Sequence, residues 1–270
     1  MKIITSIFEL NKEIKDYKNV GFVPTMGGIH AGHKSLIKAS QNKKSKTIVS
    51  IFVNPTQFNK RDDFKKYPRN IRKDIAILKK MNVEYLFKPS AREIYKFKAK
   101  KFNLKKKDKI LCAKFRNGHF EGVLNVMNRL MTIVKSKDLY MGEKDYQQLY
   151  LIKKFLSKKF KARINSCPTV RVNKNIALST RNKLLKTNSI KKAAEIALFL
   201  KKIKKKSKLK GPKLVLNLPD YKKILEKKYN IKIDYLEFRD EKNLSLSNFK
   251  NKYRLFVAYN IENVRLIDNY

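Results

Sequence analysis

The chain is short of cysteine, glycine, histidine and acid. Its 270 residues include two cysteines, eight glycines, three histidines and 22 acidic side chains, against 66 lysines and arginines. Two cysteines, Cys112 and Cys167, exclude a disulfide framework and a cysteine-based zinc site. Neither has a Cys-x-x-Cys neighbour, so both read as buried thiols rather than nucleophiles, and a reducing cytosol is the default compartment. Long apolar runs are missing too. The longest clean one, residues 48–53, falls far short of the ~20 needed to span a bilayer, so no membrane association is expected. Residues 1–9 have neither a full apolar segment nor a small-residue cleavage site, so the expectation is no secretion signal and a cytoplasmic location. The scarcity of acid leaves a formal charge of +44, yet 42% of residues are apolar and 11% aromatic. That is enough to fill a core, and the length allows one large domain or two ordinary ones.

The charge is uneven. Residues 151–210 hold 20 Lys/Arg and one acid, Glu195, and the densest run is 201–206. That run follows an amphipathic stretch in which Ile190, Ala193, Ala194, Ala197, Leu198 and Leu200 recur at helical spacing. A phosphate-binding face for nucleic acid would be strongly salt-dependent. These lysines, however, lack interleaved aromatics and a nucleic-acid module, so a solvated helix face is the better reading and any nucleic-acid contact is nonspecific.

Seven glycines (21, 27, 28, 32, 118, 122 and 142) and all three histidines fall within the first 142 residues, so the chemistry is sought there. Short apolar runs at 20–23, 47–53, 84–87, 139–141 and 162–165 read as buried strands. Helical patterns at 34–40, 71–81, 123–134 and 146–156 lie between them. Such alternation gives an α/β fold with a parallel sheet covered on both faces, whose ligands bind beyond the carboxyl ends of the strands. The unusual segments 24–32, 54–58 and 142–145 all follow strands. After about residue 183 come a basic helix (189–205), a shorter helix (221–228) and strand-like runs at 232–238, 253–258 and 264–267, a small α+β domain.

Four segments carry chemistry. In Pro24-Thr25-Met26-Gly27-Gly28-Ile29-His30-Ala31-Gly32-His33, proline and glycines turn the chain off a strand into a helix start, where anions are favoured. His30 and His33, three apart, share one face. Imidazole there can donate to charge developing at phosphorus, although a polar turn would also accommodate the pair. Two histidines alone are too few ligands, so no protein-held metal is expected. In Asn54-Pro55-Thr56-Gln57-Phe58, a side-chain amide can bond a hydroxyl or carboxylate without adding charge. In Gly142-Glu143-Lys144-Asp145, Gly142 admits a close ligand, Lys144 is a point charge for phosphate, and Asp145 can accept from ribose hydroxyls. The same residues would also suit an ordinary helix start. Leu178-Ser179-Thr180-Arg181 suits a loop that closes over phosphates, or equally a helix capped by Thr180. Arg116, Gly118 and His119 make a further polar cluster, structural or ligand-binding.

Taken together, these residues resemble a known family. His30-Ala31-Gly32-His33 resembles the His-x-Gly-His signature of nucleotidyl-transferring α/β enzymes, and the whole chain resembles the pantoate–β-alanine ligases among them. The likeness also rests on residues 23–27, 52–58, Tyr67-Pro68-Arg69, Gly118-His119-Phe120, 142–148, 168–171, 179–182 and 265–269. It implies a Rossmann-like ATP- and pantoate-binding domain over residues 1–182 and a smaller α+β lid and dimer-associated domain over 183–270. It implies activation of pantoate by ATP to an adenylate, then attack by β-alanine, with magnesium on the triphosphate and a homodimer. ATP contacts are implied for residues 26–33 (Met26, Gly27, Gly28, Ile29, His30, Ala31, Gly32, His33), for Gly142, Glu143, Lys144 and Asp145, for Val170 at adenine, and for Leu178, Ser179, Thr180 and Arg181. His30, His33 and Lys144 are the implied catalytic groups, and Gln57, Gln148, Arg116 and His119 the implied substrate contacts. Gly28, Ala31, Ala113, Asn117, Leu178 and Thr180 depart from the family's usual residues, and Asp62 and Asp63 match an acidic pair. Two other readings are a nucleotidyltransferase that keeps the nucleotide on its product, and a basic nucleic-acid-binding protein on the same scaffold.

Overall fold

The computed structural model describes residues 1–17, 19–59, 61–172 and 175–270. The apolar runs of the first part form one six-stranded sheet from β1 (Lys2–Ile4), β2 (Val20–Thr25), β3 (Lys46–Ile51), β4 (Tyr85–Phe87), β5 (Asp138–Gly142) and β6 (Arg163–Cys167). Their order is β1-β4-β3-β2-β5-β6, and every neighbouring pair is parallel. Parallel neighbours need long crossovers. The helices Ala31–Gln41, Ile71–Lys80, His119–Val134 and Tyr146–Phe160 lie within them, as the 3.6-residue patterns predict. Five of the six residues of β2, and of β3, are buried, the near-continuous burial of a sheet covered on both faces. The chain moves outward from β2 to β3, and later returns to the other side of β2 with β5. The carboxyl ends of β2 and β5 therefore flank the point where strand order reverses, the usual ligand crevice of such sheets.

The chain forms two compact units. One is Met1–Glu143 with Gln148–Val170; the other is Lys144–Gln147 with Arg171–Tyr270. In the first unit, the His119–Val134 helix passes so close to the turn Pro55–Gln57 that only glycine fits at position 122. A Cβ there would lie 2.4 Å from the Thr56 carbonyl oxygen and 2.9 Å from Gln57 Cα.

The second unit holds a short hairpin, β7 (Arg171–Val172) with β8 (Ile176–Ala177), and an antiparallel sheet of β9 (Lys232–Asp240), β10 (Tyr253–Ile261) and β11 (Val264–Asn269). Ile196, Leu200 and Ile203 of the helix Thr187–Lys210 and Leu225 of the helix Leu218–Tyr229 join Ile233, Leu255 and Val257 in its core. Arg171 fastens the hairpin to β11 through paired bonds to Asp268, 2.7 and 2.9 Å, and a third to the Asn269 carbonyl at 3.0 Å. Two residues 97 positions apart in sequence meet in this pair. Among the described residues, no helix is long and apolar enough to cross a membrane.

The basic tract is not wholly solvated. Lys204 Nζ donates to the Tyr253 carbonyl at 2.5 Å and lies 3.6 Å from the centre of the Tyr253 ring. Burial pulls its pKa down to about 8.

Two outcomes are expected. Gly122→Ala lowers stability by about 1–3 kcal/mol, because the backbone of the Pro55–Gln57 turn must move aside. Gly142→Ala, with nothing within 4 Å of the added Cβ, leaves urea unfolding unchanged. The second concerns Lys204, whose folded pKa of about 8 lies below that of an unfolded lysine. From about pH 8 upward the unfolded chain binds more protons than the folded one, so stability rises with pH; the gain is lost as pH falls through the folded value. Urea unfolding should show the stability of the parent protein, relative to Lys204→Met, increasing over that range.

Candidate active site

The chain leaves β2 through Thr25, whose hydroxyl donates to the Ser50 carbonyl at 2.8 Å and accepts the Gly27 N–H at 3.1 Å. Gly27 and Gly28 have φ of 80° and 66°, a left-handed turn that suits glycine. Asp74, only 3% exposed on the helix Ile71–Lys80, accepts the Gly28 N–H on one carboxylate oxygen and the Ile29 N–H on the other, each at 2.8 Å.

The helix Ala31–Gln41 then begins with a reciprocal cap between histidines. His30 Nδ1 accepts the Gly32 N–H at 3.1 Å, and His33 Nδ1 accepts the His30 N–H at 3.4 Å. The rings stack with centroids 4.0 Å apart and planes 28° apart. A ring nitrogen that accepts an N–H carries no proton, so both rings are neutral with the proton on Nε2. The result is two stacked Nε2–H donors on a helix N-terminus, a charge-neutral arrangement suited to stabilising negative charge.

A second network follows β3. Asn54, 1% exposed, caps the turn Pro55–Gln57. Its Oδ1 accepts the Thr56 N–H at 3.2 Å, the Thr56 hydroxyl at 3.0 Å and the Tyr95 hydroxyl at 2.6 Å. Its Nδ2 donates to the Gly122 carbonyl and to Gln57 Oε1, both at 3.2 Å. The Gln57 amide is thereby oriented with Oε1 toward Asn54 and Nε2 toward Met26 Sδ, 2.9 Å away. Arg116 Nη1 lies 2.9 Å from His119 Nε2, and His119 Nδ1 lies 2.7 Å from the Gln57 carbonyl. Guanidinium can only donate, so His119 Nε2 accepts and its Nδ1–H donates, the opposite tautomer to His30 and His33. Burial pushes the Tyr95 phenol up, against the opposing pull of its Thr56 hydrogen bond and of Arg129, whose guanidinium lies 4.9 Å from the Tyr95 ring centre. Tyr95 therefore remains a proton donor at neutral pH.

The remaining residues are distributed as follows. Gly142 ends β5, in the strand beside β2, with open space where a Cβ would lie. Glu143 opens the turn Glu143–Asp145. Lys144 and Asp145 belong to the second unit; Lys144 Nζ is 3.2 Å from Asp145 Oδ1, and its carbonyl accepts from Asn269 Nδ2 at 3.0 Å. Ser179, and not Thr180, caps the turn Thr180–Leu184, its hydroxyl accepting the Arg181 N–H at 3.3 Å. Thr180 is buried there, while Leu178 and Arg181 are half-buried. Gln148 lies in the first turn of the helix Tyr146–Phe160, and Val170 follows β6.

Two sets of residues are brought together in the first unit: His30 with His33, and Met26 with Gln57, Arg116 and His119. Gln148 and Val170 join neither network. Cys112 and Cys167 are buried and unlinked, as expected, and burial pushes the Cys167 thiol up. Sequence reasoning missed Asp74, Tyr95 and Arg129. Asp74 did leave a signal, as an acid one turn from Leu78 on the buried face of a helix otherwise rich in lysine. Tyr95 and Arg129 left none.

Tyr95→Phe should cost about 1 kcal/mol for its lost bond to Asn54. Asn54→Ala should cost more, since it removes the acceptor of the Thr56 N–H and of the Thr56 and Tyr95 hydroxyls together with the donor to the Gly122 carbonyl and Gln57 Oε1; urea unfolding measures both.

Known proteins resemble this chain in sequence and in fold. The family profile described as pantoate-beta-alanine ligase matches residues 2–270. The pantothenate synthetase of Flavobacterium psychrophilum is 38% identical, with 97% of this chain and 98% of that protein covered. A crystal structure of the pantoate-beta-alanine ligase of Francisella tularensis, complexed with beta-gamma ATP and beta-alanine, is 37% identical; its TM-score is 0.84, and 100% of this chain and 97% of that one are covered. The crystal structure of pantothenate synthetase from Thermus thermophilus is 30% identical with a TM-score of 0.92, covering 100% and 99% of the two chains. A glycine turn and histidine pair at the strand-order reversal, a profile match across the chain and relatives matched nearly end to end lead to one conclusion: the chain belongs to the pantoate–β-alanine ligase family.

Proposed function

We propose that the chain condenses pantoate with β-alanine, driven by ATP. The pantoate carboxylate attacks the α-phosphorus, forming pantoyl adenylate and releasing pyrophosphate. The β-alanine amine then attacks the activated acyl carbon, forming the amide and releasing AMP. Both steps need positioning and charge stabilisation rather than a protein nucleophile. The observation that carries this reading is the stacked His30–His33 pair, whose Nε2–H groups suit the charge that develops on the transferring phosphoryl, with His33 as proton donor.

On the family resemblance, ATP is also met by residues 26–29, Ala31 and Gly32, by Gly142, Glu143 and Asp145, and by Val170. Lys144, Leu178, Ser179, Thr180 and Arg181 take the leaving pyrophosphate. Gln57 and Gln148 hold pantoate, and Arg116 and His119 line the pantoate and β-alanine side. The orientation of Gln57 supports its part, because an Nε2–H donor suits a carboxylate or hydroxyl oxygen. Residues 1–182 are proposed as the ATP- and pantoate-binding part and 183–270 as the lid and dimer-associated part of a cytoplasmic homodimer, a functional division that differs from the compact units, in which 144–147 and 171–182 belong with the second. Magnesium would arrive with the triphosphate, its ligands mostly phosphate oxygens and water. Among the described residues no three His, Cys, Asp or Glu gather that could hold an ion. The nucleic-acid reading gains no support.

The test is AMP release in the presence of ATP, pantoate and β-alanine, with each omitted in turn. AMP release and pantothenate formation should require all three substrates, and leaving out β-alanine should allow pyrophosphate release without AMP. His33→Ala should lower kcat/KM by about 10²–10³-fold, the usual loss of one such donor. Absence of AMP from the parent protein with all three substrates present would refute the ligase reading.

A further inference from the structure

A glycine turn running into a helix start is by default an anion site built from backbone N–H groups. Here five of those groups are already engaged inside the protein. The Gly27 N–H goes to the Thr25 hydroxyl, those of Gly28 and Ile29 to Asp74, that of His30 to His33, and that of Gly32 to His30. A carboxylate in this place competes with any phosphate for the same donors, and Asp74 is too buried to meet a substrate itself.

We propose that Asp74 is a positioning residue for phosphoryl transfer: by holding the Gly28 and Ile29 amides inward it fixes the entry of the histidine cap, so the phosphoryl group is met by imidazole Nε2–H donors rather than by backbone amides. The inference rests on the loop's role in the proposed reaction, but its physical content does not depend on activity. Both oxygens of Asp74 accept, one from each amide. Asparagine would set an NH2 against one of those N–H groups. Glutamate would add a methylene where a Gly27 Cβ would already lie 3.0 Å from Asp74 Oδ2. The reach of the aspartate therefore sets the path of Gly27–Ile29, and with it which face of each imidazole turns to the helix backbone.

The chain's three histidines make the test direct. Nitrogen-15 NMR of the imidazoles in the substrate-free parent protein should show two neutral Nε2–H rings, His30 and His33, and one Nδ1–H ring, His119. Asp74→Asn should keep the circular-dichroism spectrum and cooperative unfolding. Its kcat for AMP release should fall roughly 10²-fold through misplacement of the reacting groups, with a smaller change in KM for pantoate, and the His30 and His33 signals should shift to mixed tautomers while His119 stays as it is. Asp74→Ala should do the same. A folded variant with the parent's kcat and imidazole spectrum overturns the proposal. If neither variant folds, the parent protein decides: His30 or His33 found as Nδ1–H, or Gly28 and Ile29 amides that exchange freely with solvent, overturns it, and Nε2–H rings with both amides protected uphold it. A parent protein that releases no AMP yet has the expected imidazole spectrum would refute the ligase reading and leave the loop geometry intact.

Discussion

Two consecutive amides on one carboxylate determine where the chain goes after its central strand. Gly28 and Ile29 can reach Asp74 only because Gly27 and Gly28 take left-handed backbone angles, and Asp74 can wait there only because its helix is capped and packed against the sheet. Once the turn is held, His30 falls at the helix N-cap and His33 one turn in, and each ring satisfies a backbone N–H of the other's segment. A helix start normally leaves several N–H groups exposed. This one uses imidazole in place of the usual Ser or Asp, so the groups that finish the helix are also those proposed to meet the phosphoryl group.

The second network works the same way with neutral groups. Asn54 gathers three donors on its oxygen and commits both of its own, which leaves Gln57 one orientation. In the first unit the polar machinery is mostly uncharged, which puts the +44 of the whole chain in proportion. Surface charge of that size is screened over roughly 8 Å at physiological ionic strength and bears on solubility and encounter more than on fold. Even within the basic tract, Lys204 serves packing, stacked on Tyr253.

The parallel sheet was legible because its strands are short apolar runs alternating with clear helical periods, and the histidine signature because it is local. β1 (Lys2–Ile4) and the helix Ile7–Ile14 were not legible: three residues are too few to show a period, and the strand exists only because β4 accepts it. The hidden parts of the site are long-range. Asp74 is 46 positions from Gly28, and the Asn54 amide meets a carbonyl 68 residues away, so no window along the chain contains both partners. Ser179 rather than Thr180 caps its turn, a choice between adjacent hydroxyls that depends on backbone angles alone.

The sheet order has a consequence for how the protein is made. β2 sits inside the finished sheet, yet its neighbour β5 comes only after β3, β4 and the His119–Val134 helix. As the chain emerges from its N-terminus, β2 pairs first with β3 and keeps its other side open. A strand built for burial is then an unpaired edge, the kind that recruits other chains. Closure comes with Gly21 and Phe22 against Asp138 and Leu139. A ribosome that stalls before β5 would therefore release an aggregation-prone half-sheet, with the histidine turn already built at its exposed rim.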